Sequence, residues 1–316
     1  MSSRYAVDER PVPESTLVEL FFEAVDRFGE HAALQRMATP ESLEDISYER
    51  VLGLVKQVAA ALDARGLERG DRVGILAENR PEWALTDYAC LCSGVLDVPI
   101  YTTLTASQVG YLLENSGAKV VFASTREQTE KALEAAEGRG LGIEVVQFDP
   151  LEEPREHVAS WNDFLRSGAE RAAAWSDEEF RRYAMRAKAD DVATILYTSG
   201  TTGDPKGVML THNNIASNVR ACRVVFDLDE RDNTVSFLPL SHILQRMVDY
   251  LFFWVGCTIG YPRSMDTLVA DMKVIRPTVV VSVPRVYEKI YNGVMQARGP
   301  KKALIDLSLI HISEPT

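Results

Sequence analysis

Residues 197–209 read Tyr-Thr-Ser-Gly-Thr-Thr-Gly-Asp-Pro-Lys-Gly-Val-Met. The ten positions 198–207 include four hydroxyl side chains (Thr198, Ser199, Thr201, Thr202), three glycines (Gly200, Gly203, Gly207) and one lysine, Lys206. Hydroxyls and unobstructed backbone N–H groups are what a phosphate chain needs from a protein. Glycine lets the backbone come close, and a lysine ammonium adds a point charge. The pattern differs from the common nucleotide P-loop, which needs Gly-Lys-Ser/Thr after a glycine and four spacers. Here Pro205 precedes the lysine and Gly207 follows it, so no hydroxyl opens a helix beside the charge to hold a metal. The plain alternative is a Gly/Ser/Thr surface turn. Such a turn needs neither the Pro-Lys-Gly stop nor the apolar run at 192–196 that feeds it.

Strands and helices alternate along the rest of the chain, and these elements must position the loop. The first helix is expected over 16–28, with an apolar stripe and a Thr16-x-x-Glu19 capping box. A second helix is expected over 48–62. Strands follow at 72–77, 95–100, 119–123 and 143–148, with helices after Pro81 and over 107–115 between them. Residues 149–188 are polar and read as a connector with one or two surface helices. A second series has a strand at 192–196, the loop, a helix over 213–225 and strands at 234–237, 258–261 and 278–283. Helices are expected over 240–254 and 265–275, and from Pro284 to about 298, with proline in its favoured first-turn position. Apolar strands alternating with helices imply an α/β fold, with parallel-rich sheets flanked by helices.

The 316 residues are 46% hydrophobic and 25% charged, ample for a core. A net charge of −12 argues against a general nucleic-acid binder, which shows a basic field. Four cysteines without zinc-like spacing (Cys90, Cys92, Cys222, Cys257) read as free thiols in a reducing compartment. The first fifteen residues carry no signal-peptide core, and the most apolar stretch, 250–261, is too short to span a bilayer. The expectation is a cytoplasmic protein that does not cross membranes, with peripheral membrane contact left open.

The loop resembles the signature of the adenylate-forming superfamily, the AMP-binding or acyl-activating enzymes. It is close to that pattern at every position, and Thr211-His212-Asn213-Asn214 continues it. Similar family-like segments are Ile46-Ser47-Tyr48-Glu49, Gly70-Asp71-Arg72-Val73 and Glu78-Asn79-Arg80-Pro81-Glu82-Trp83. Two more resemble long-chain fatty acid–CoA ligases in particular: Ser236-Phe237-Leu238-Pro239-Leu240-Ser241-His242-Ile243, and residues 282–291 from Ser282-Val283-Pro284-Arg285 onward. The resemblance implies a two-step reaction with ATP, magnesium and coenzyme A, in which a fatty acid is first joined to AMP and then passed to a thiol. It implies phosphate contacts from Thr198, Ser199, Gly200, Thr201, Thr202, Gly203 and Gly207, with Lys206 balancing charge. It also implies a place for His242 beside the carboxylate, against the plain reading of a structural histidine at a strand–helix junction. Arg285 and Lys289 read as helix-surface charges beside Glu288. The apolar residues of 247–254 read as core, with an acyl tunnel as the alternative. The metal ligands are unassigned, as are oligomeric state and acyl chain length. Another acyl or aryl acid ligase and a non-catalytic nucleotide- or acyl-binding fragment remain as rival readings.

The resemblance implies a tail at 1–14 and an incomplete AMP-binding N-terminal domain over 15–306. The family's later motifs are not found in the sequence: an acidic Thr-Glu pair, a ribose-gripping aspartate, and a C-terminal lid domain with a second lysine. Residues 307–316 resemble a translated sequencing adapter and are expected to be non-native read-through. A long-read sequence of the locus tests this, and the same ten residues followed by a native stop codon would refute it.

Overall fold

The computed structural model describes residues 12–198 and 203–295. Helix α1 (Leu17–Phe28) begins as its sequence dictates. Thr16 Oγ1 accepts the Glu19 N–H at 3.0 Å, and the Glu19 carboxylate accepts the Thr16 N–H at 2.7 Å. An antiparallel hairpin follows, β1 (Ala32–Thr39) and β2 (Ser42–Ser47). The sequence reading passes straight from helix to helix here, because only Ala33 and Leu34 of β1 are buried and no alternating pattern shows.

The first βα series is α2 (Tyr48–Ala64), β3 (Arg72–Leu76), α3 (Pro81–Ser93), β4 (Leu96–Ile100), α4 (Ala106–Ser116), β5 (Ala118–Ala123), α5 (Arg126–Glu137) and β6 (Glu144–Gln147). The connector holds the two expected helices, α6 (Trp161–Ala174) and α7 (Asp177–Ala184), but adds an edge strand, β7 (Val158–Ser160), and the helices send Phe164 and Phe180 fully into the core. Gly168 of α6 lies so close to α2 that a Cβ there would meet the Ala61 nitrogen at 2.5 Å. The polar faces of these helices mask their few large core residues in a composition-based reading.

Next come β8 (Val192–Thr198), β9 (Lys206–Thr211), α8 (His212–Val225), β10 (Asn233–Val235), α9 (Ile243–Val255), β11 (Thr258–Tyr261), α10 (Leu268–Ile275) and α11 (Pro284–Met295). The expected strand at 278–283 is reduced to one bridge, Val279 beside Thr234. At its start the Thr278 N–H is held by both Asn233 O and Oδ1, and its hydroxyl reaches Asp232, so caps replace a ladder.

The strands form two sheets. The larger runs β7-β6-β5-β3-β4-β8-β9, parallel except for β9 against β8. The smaller runs β10-β11-β1-β2, with β1, β10 and β11 parallel. Between them lies an aromatic core in which Phe21, Tyr48 and Tyr88 surround Phe253 of α9, with ring centroids 4.6–5.6 Å away. The cavity beside α9, lined by Trp83, Tyr88 and Phe253 among others, is only about 10 Å³. The apolar residues of α9 are therefore core, as the plain reading has it. The chain divides into two units, Met1–Val279 and Val280–Thr316. In the second, α11 opens on Pro284, and the Tyr287 hydroxyl donates to Val280 O at 3.2 Å.

Candidate active site

The phosphate-type loop is the turn of a β-hairpin. The sequence reading runs strand, loop, helix, but Lys206 is the first residue of β9, which pairs antiparallel with β8. Thr198 stands directly opposite Lys206, and Tyr197 opposite Gly207. Both Thr198 and Lys206 are exposed, so a hydroxyl and an ammonium face solvent side by side at the mouth of the turn. The sequence does not mark β9, because it is an edge strand with four exposed residues and no inward–outward alternation.

Two glycines of the loop are required for different reasons, one by its backbone conformation and one by its neighbours. Gly203 has φ 129°, a conformation that side-chain-bearing residues avoid. At Gly207 a Cβ would meet Ile195 Cγ2 at 2.9 Å and the Tyr197 ring at 3.3 Å. The expected ligands Ser199, Gly200, Thr201 and Thr202 lie outside the described residues, as does the segment 307–316.

Helix α4 braces both strands of the hairpin. The Tyr111 hydroxyl donates to Pro205 O at 3.1 Å, one residue before Lys206, and the Tyr197 hydroxyl donates to Asn115 Oδ1 at 2.6 Å. Both partners are on one face of a single helix, capped by the Thr105–Gln108 box. Neither Tyr111 nor Asn115 stands out in the sequence, because their role depends on strand pairing.

His242 is the N-cap of α9, and its Nδ1 accepts the Leu244 N–H at 3.2 Å. That bond leaves Nε2 as the nitrogen facing outward on an exposed ring. The structural role weighed against a substrate role is therefore real, and both fit one side chain, since only Nδ1 is used by the cap. One turn on, Arg246 is 1% exposed, its backbone N–H directed to His242 O at 3.4 Å. Its guanidinium donates to Thr194 Oγ1 on β8 at 2.7 Å, to Asp97 Oδ1 on β4 at 2.8 Å, to the Tyr250 hydroxyl at 2.8 Å and to Asp87 of α3. This hub joins the helix that carries His242 to the strand that carries the loop. Burial works against the Arg246 charge, yet Asp87 and Asp97 hold it well above the ordinary arginine value. Burial pushes Asp97 up to about 7 despite the guanidinium, because two carboxylates share one cation. Asp249, also buried, is likewise raised to about 7.

Thr211 caps α8 and forms a box with Asn214. The neighbouring His212 is buried, accepts the Leu17 N–H on Nδ1 at 3.4 Å and is pushed down to about 4 by burial, so it ties α1 to α8 as a neutral ring. Cys90, Cys92 and Cys257 are free and buried, and Cys222 is free and half-buried. Among the described residues no cluster of three His, Cys, Asp or Glu side chains is arranged to hold a metal, and no helix is long and apolar enough to cross a membrane.

The AMP-binding enzyme family model matches residues 21–312. A long-chain-fatty-acid–CoA ligase, FadD15, of Mycobacterium bovis is 34% identical over 80% of this chain and 41% of its own length. Long chain acyl-CoA synthetase 1 of Arabidopsis thaliana is 32% identical over 90% of this chain and 44% of its own. Among solved structures, ATP-bound MatB from Rhodopseudomonas palustris superposes with a TM-score of 0.68 at 25% identity, covering 90% of this chain and 52% of that one. The chain thus spans about four tenths of the length of the curated relatives it matches.

Proposed function

The chain belongs to the AMP-binding enzyme family, and from that premise we propose that it is the nucleotide-gripping part of a long-chain fatty acid–CoA ligase. The observation that carries this reading is the hairpin mouth, where Thr198 and Lys206 stand opposite each other and exposed, with Gly203 at positive φ between them. The names of the curated relatives support the acid and the thiol as substrates.

In the first step a fatty acid carboxylate oxygen bonds to the α-phosphorus of ATP, and the bond from that phosphorus to the β-phosphate oxygen breaks. Pyrophosphate leaves with the electron pair. Two anions must approach, so the protein's task is alignment and charge neutralisation. Lys206 balances charge on the departing pyrophosphate. The hydroxyls and N–H groups of the turn donate to its oxygens. His242 presents Nε2 to the carboxylate while Nδ1 stays in the helix cap. Magnesium, where bound, would accompany the nucleotide's phosphates and offset their negative charge. In the second step the coenzyme A thiol attacks the acyl carbonyl and AMP leaves.

With about four tenths of the relatives' length, the 316 residues are expected to bind nucleotide without completing the reaction. The test is pyrophosphate release with ATP and palmitate, measured on this chain and on the chain extended by its downstream coding sequence. Release from the extended chain alone supports the reading. Release with neither, or with an aryl acid in preference to palmitate, would overturn it. We also place the protein in the cytoplasm, a reading supported by its four free thiols.

A further inference from the structure

Residues Glu78, Asn79 and Arg80 follow the C-terminal end of β3, and their side chains bond to different sheets. On one side Glu78 accepts the Ser124 hydroxyl, and Arg80 Nη1 donates to Asp149 Oδ1 at 2.9 Å and to Ser124 O at 3.4 Å. Both anchors belong to the ends of β5 and β6 in the larger sheet. Asn79 points the other way, toward the segment that follows β10 of the smaller sheet. Its Nδ2 donates to Leu238 O at 2.7 Å and to Ser236 Oγ at 3.2 Å, and its Oδ1 accepts the Leu240 N–H at 2.9 Å.

These bonds bracket Pro239, whose own carbonyl accepts the His242 N–H at 2.9 Å. One amide side chain therefore holds a backbone carbonyl and a backbone N–H on either side of the turn that delivers His242 to the start of α9. Pro239 has no N–H and a fixed φ, so the turn has few other ways to satisfy its polar groups. The amide is the right group because one side chain must both donate and accept. Aspartate offers no donor at neutral pH, and leucine offers neither.

We infer that Asn79 is a positioning residue that sets where His242 stands, and so governs the adenylation step through it. The clamp itself stands on geometry, and its catalytic consequence rests on the ligase reading above. The test uses the chain extended by its downstream coding sequence. Asn79→Ala, His242→Ala, their double variant and Asn79→Asp are compared by amide hydrogen exchange and by ATP–pyrophosphate exchange with palmitate.

The expected result is faster exchange at the Leu240 and His242 amides in Asn79→Ala. kcat should fall roughly 10- to 100-fold, the scale set by small misplacements of a reacting group, while KM for ATP changes less than about twofold. Asn79→Asp, which keeps the acceptor for Leu240, should protect that amide better than Asn79→Ala does. If Asn79 acts through His242, adding Asn79→Ala to His242→Ala lowers kcat no further, whereas a general loosening of the fold would add its own loss.

Unchanged amide exchange in Asn79→Ala overturns the clamp whatever the activity. Faster exchange with full additivity in the double variant overturns the route through His242 and leaves the ligase reading intact. If His242→Ala alone is fully active, the catalytic part fails together with that residue's proposed role, while the exchange data still decide the clamp.

Discussion

Replacing Arg246 by methionine tests the hub that joins α9 to β8. The substitution keeps a long apolar stem but removes the cation between Asp87 and Asp97. Asp97 is fully buried, its Oδ2 has no partner, and its Oδ1 is held by Arg246. Breaking a buried pair by removing one member typically costs about 3–5 kcal/mol, because the other is left as an uncompensated charge. The variant's escape is protonation. Wild type already keeps a proton on Asp97 up to about 7, so the variant's extra proton, roughly one, falls on Asp87, the other carboxylate left without the cation. An ordinary aspartate gives up that proton near 3.9, so retaining it at pH 7 costs about 4 kcal/mol and at pH 5 about 1.5 kcal/mol. The sign follows from a raised acid: stability is present at low pH and is lost as pH rises. Urea unfolding of both proteins at pH 5 and pH 7 should therefore show a deficit that grows by about 3 kcal/mol between the two. A deficit equal at both pH values, or below about 1 kcal/mol at pH 7, would refute the charge argument. Adding Asp87→Asn and Asp97→Asn to Arg246→Met should recover most of the loss if the stranded carboxylates are its cause.

Other expectations test separate parts of the structure. In the extended chain, Lys206→Ala should slow ATP–pyrophosphate exchange on the order of 100-fold and leave fatty-acid affinity nearly unchanged, as measured by displacement of a fluorescent acyl probe. An unaltered exchange rate would count against the charge role. His212 is held neutral down to about 4, so the unfolded chain takes up its proton first as pH falls from about 6.5. Wild type should lose about 2.4 kcal/mol more than His212→Asn between pH 7 and pH 4.5, again by urea titration. Gly168→Ala drives a Cβ against the α2 backbone and should cost about 1–3 kcal/mol. A silent Gly168→Ala would mean that α6 and α2 are not in tight contact.

The sequence makes local features plain and conceals those that depend on distant pairing. The Thr16–Glu19 box and Pro284 at a helix start are local chemistry and appear where expected. Leu240, expected inside a helix, lies before it because Asn79 takes its N–H and His242 caps the helix that follows. Strand β1 carries few buried residues and owes its place to β11, far along the chain. The same division holds at the site. Lys206 and the hydroxyls of the loop stand out by type and spacing, and His242 only through the family resemblance. Tyr111, Asn115, Asn79 and Arg246 are ordinary residues whose importance comes only from what the sheets bring beside them. The loop's position at the tip of a hairpin was hidden for a related reason, since an exposed edge strand has no buried face to imprint a pattern.

The pairing of β1 with β11 also bears on how the molecule is made. About 225 residues separate Leu34 from Ile259, its partner across the smaller sheet. At translation rates of roughly 5–20 residues per second, the β1–β2 hairpin waits on the order of 10–45 seconds for that partner. Meanwhile the adjacent strands β3 to β6 have neighbours close in sequence and can assemble as they leave the ribosome. Until β11 arrives, Leu34 and the Phe21 face of α1 have no completed sheet to cover them. The segment from α1 to β2 therefore stands to gain from a chaperone while the chain is nascent, although it is made well before its partner strand.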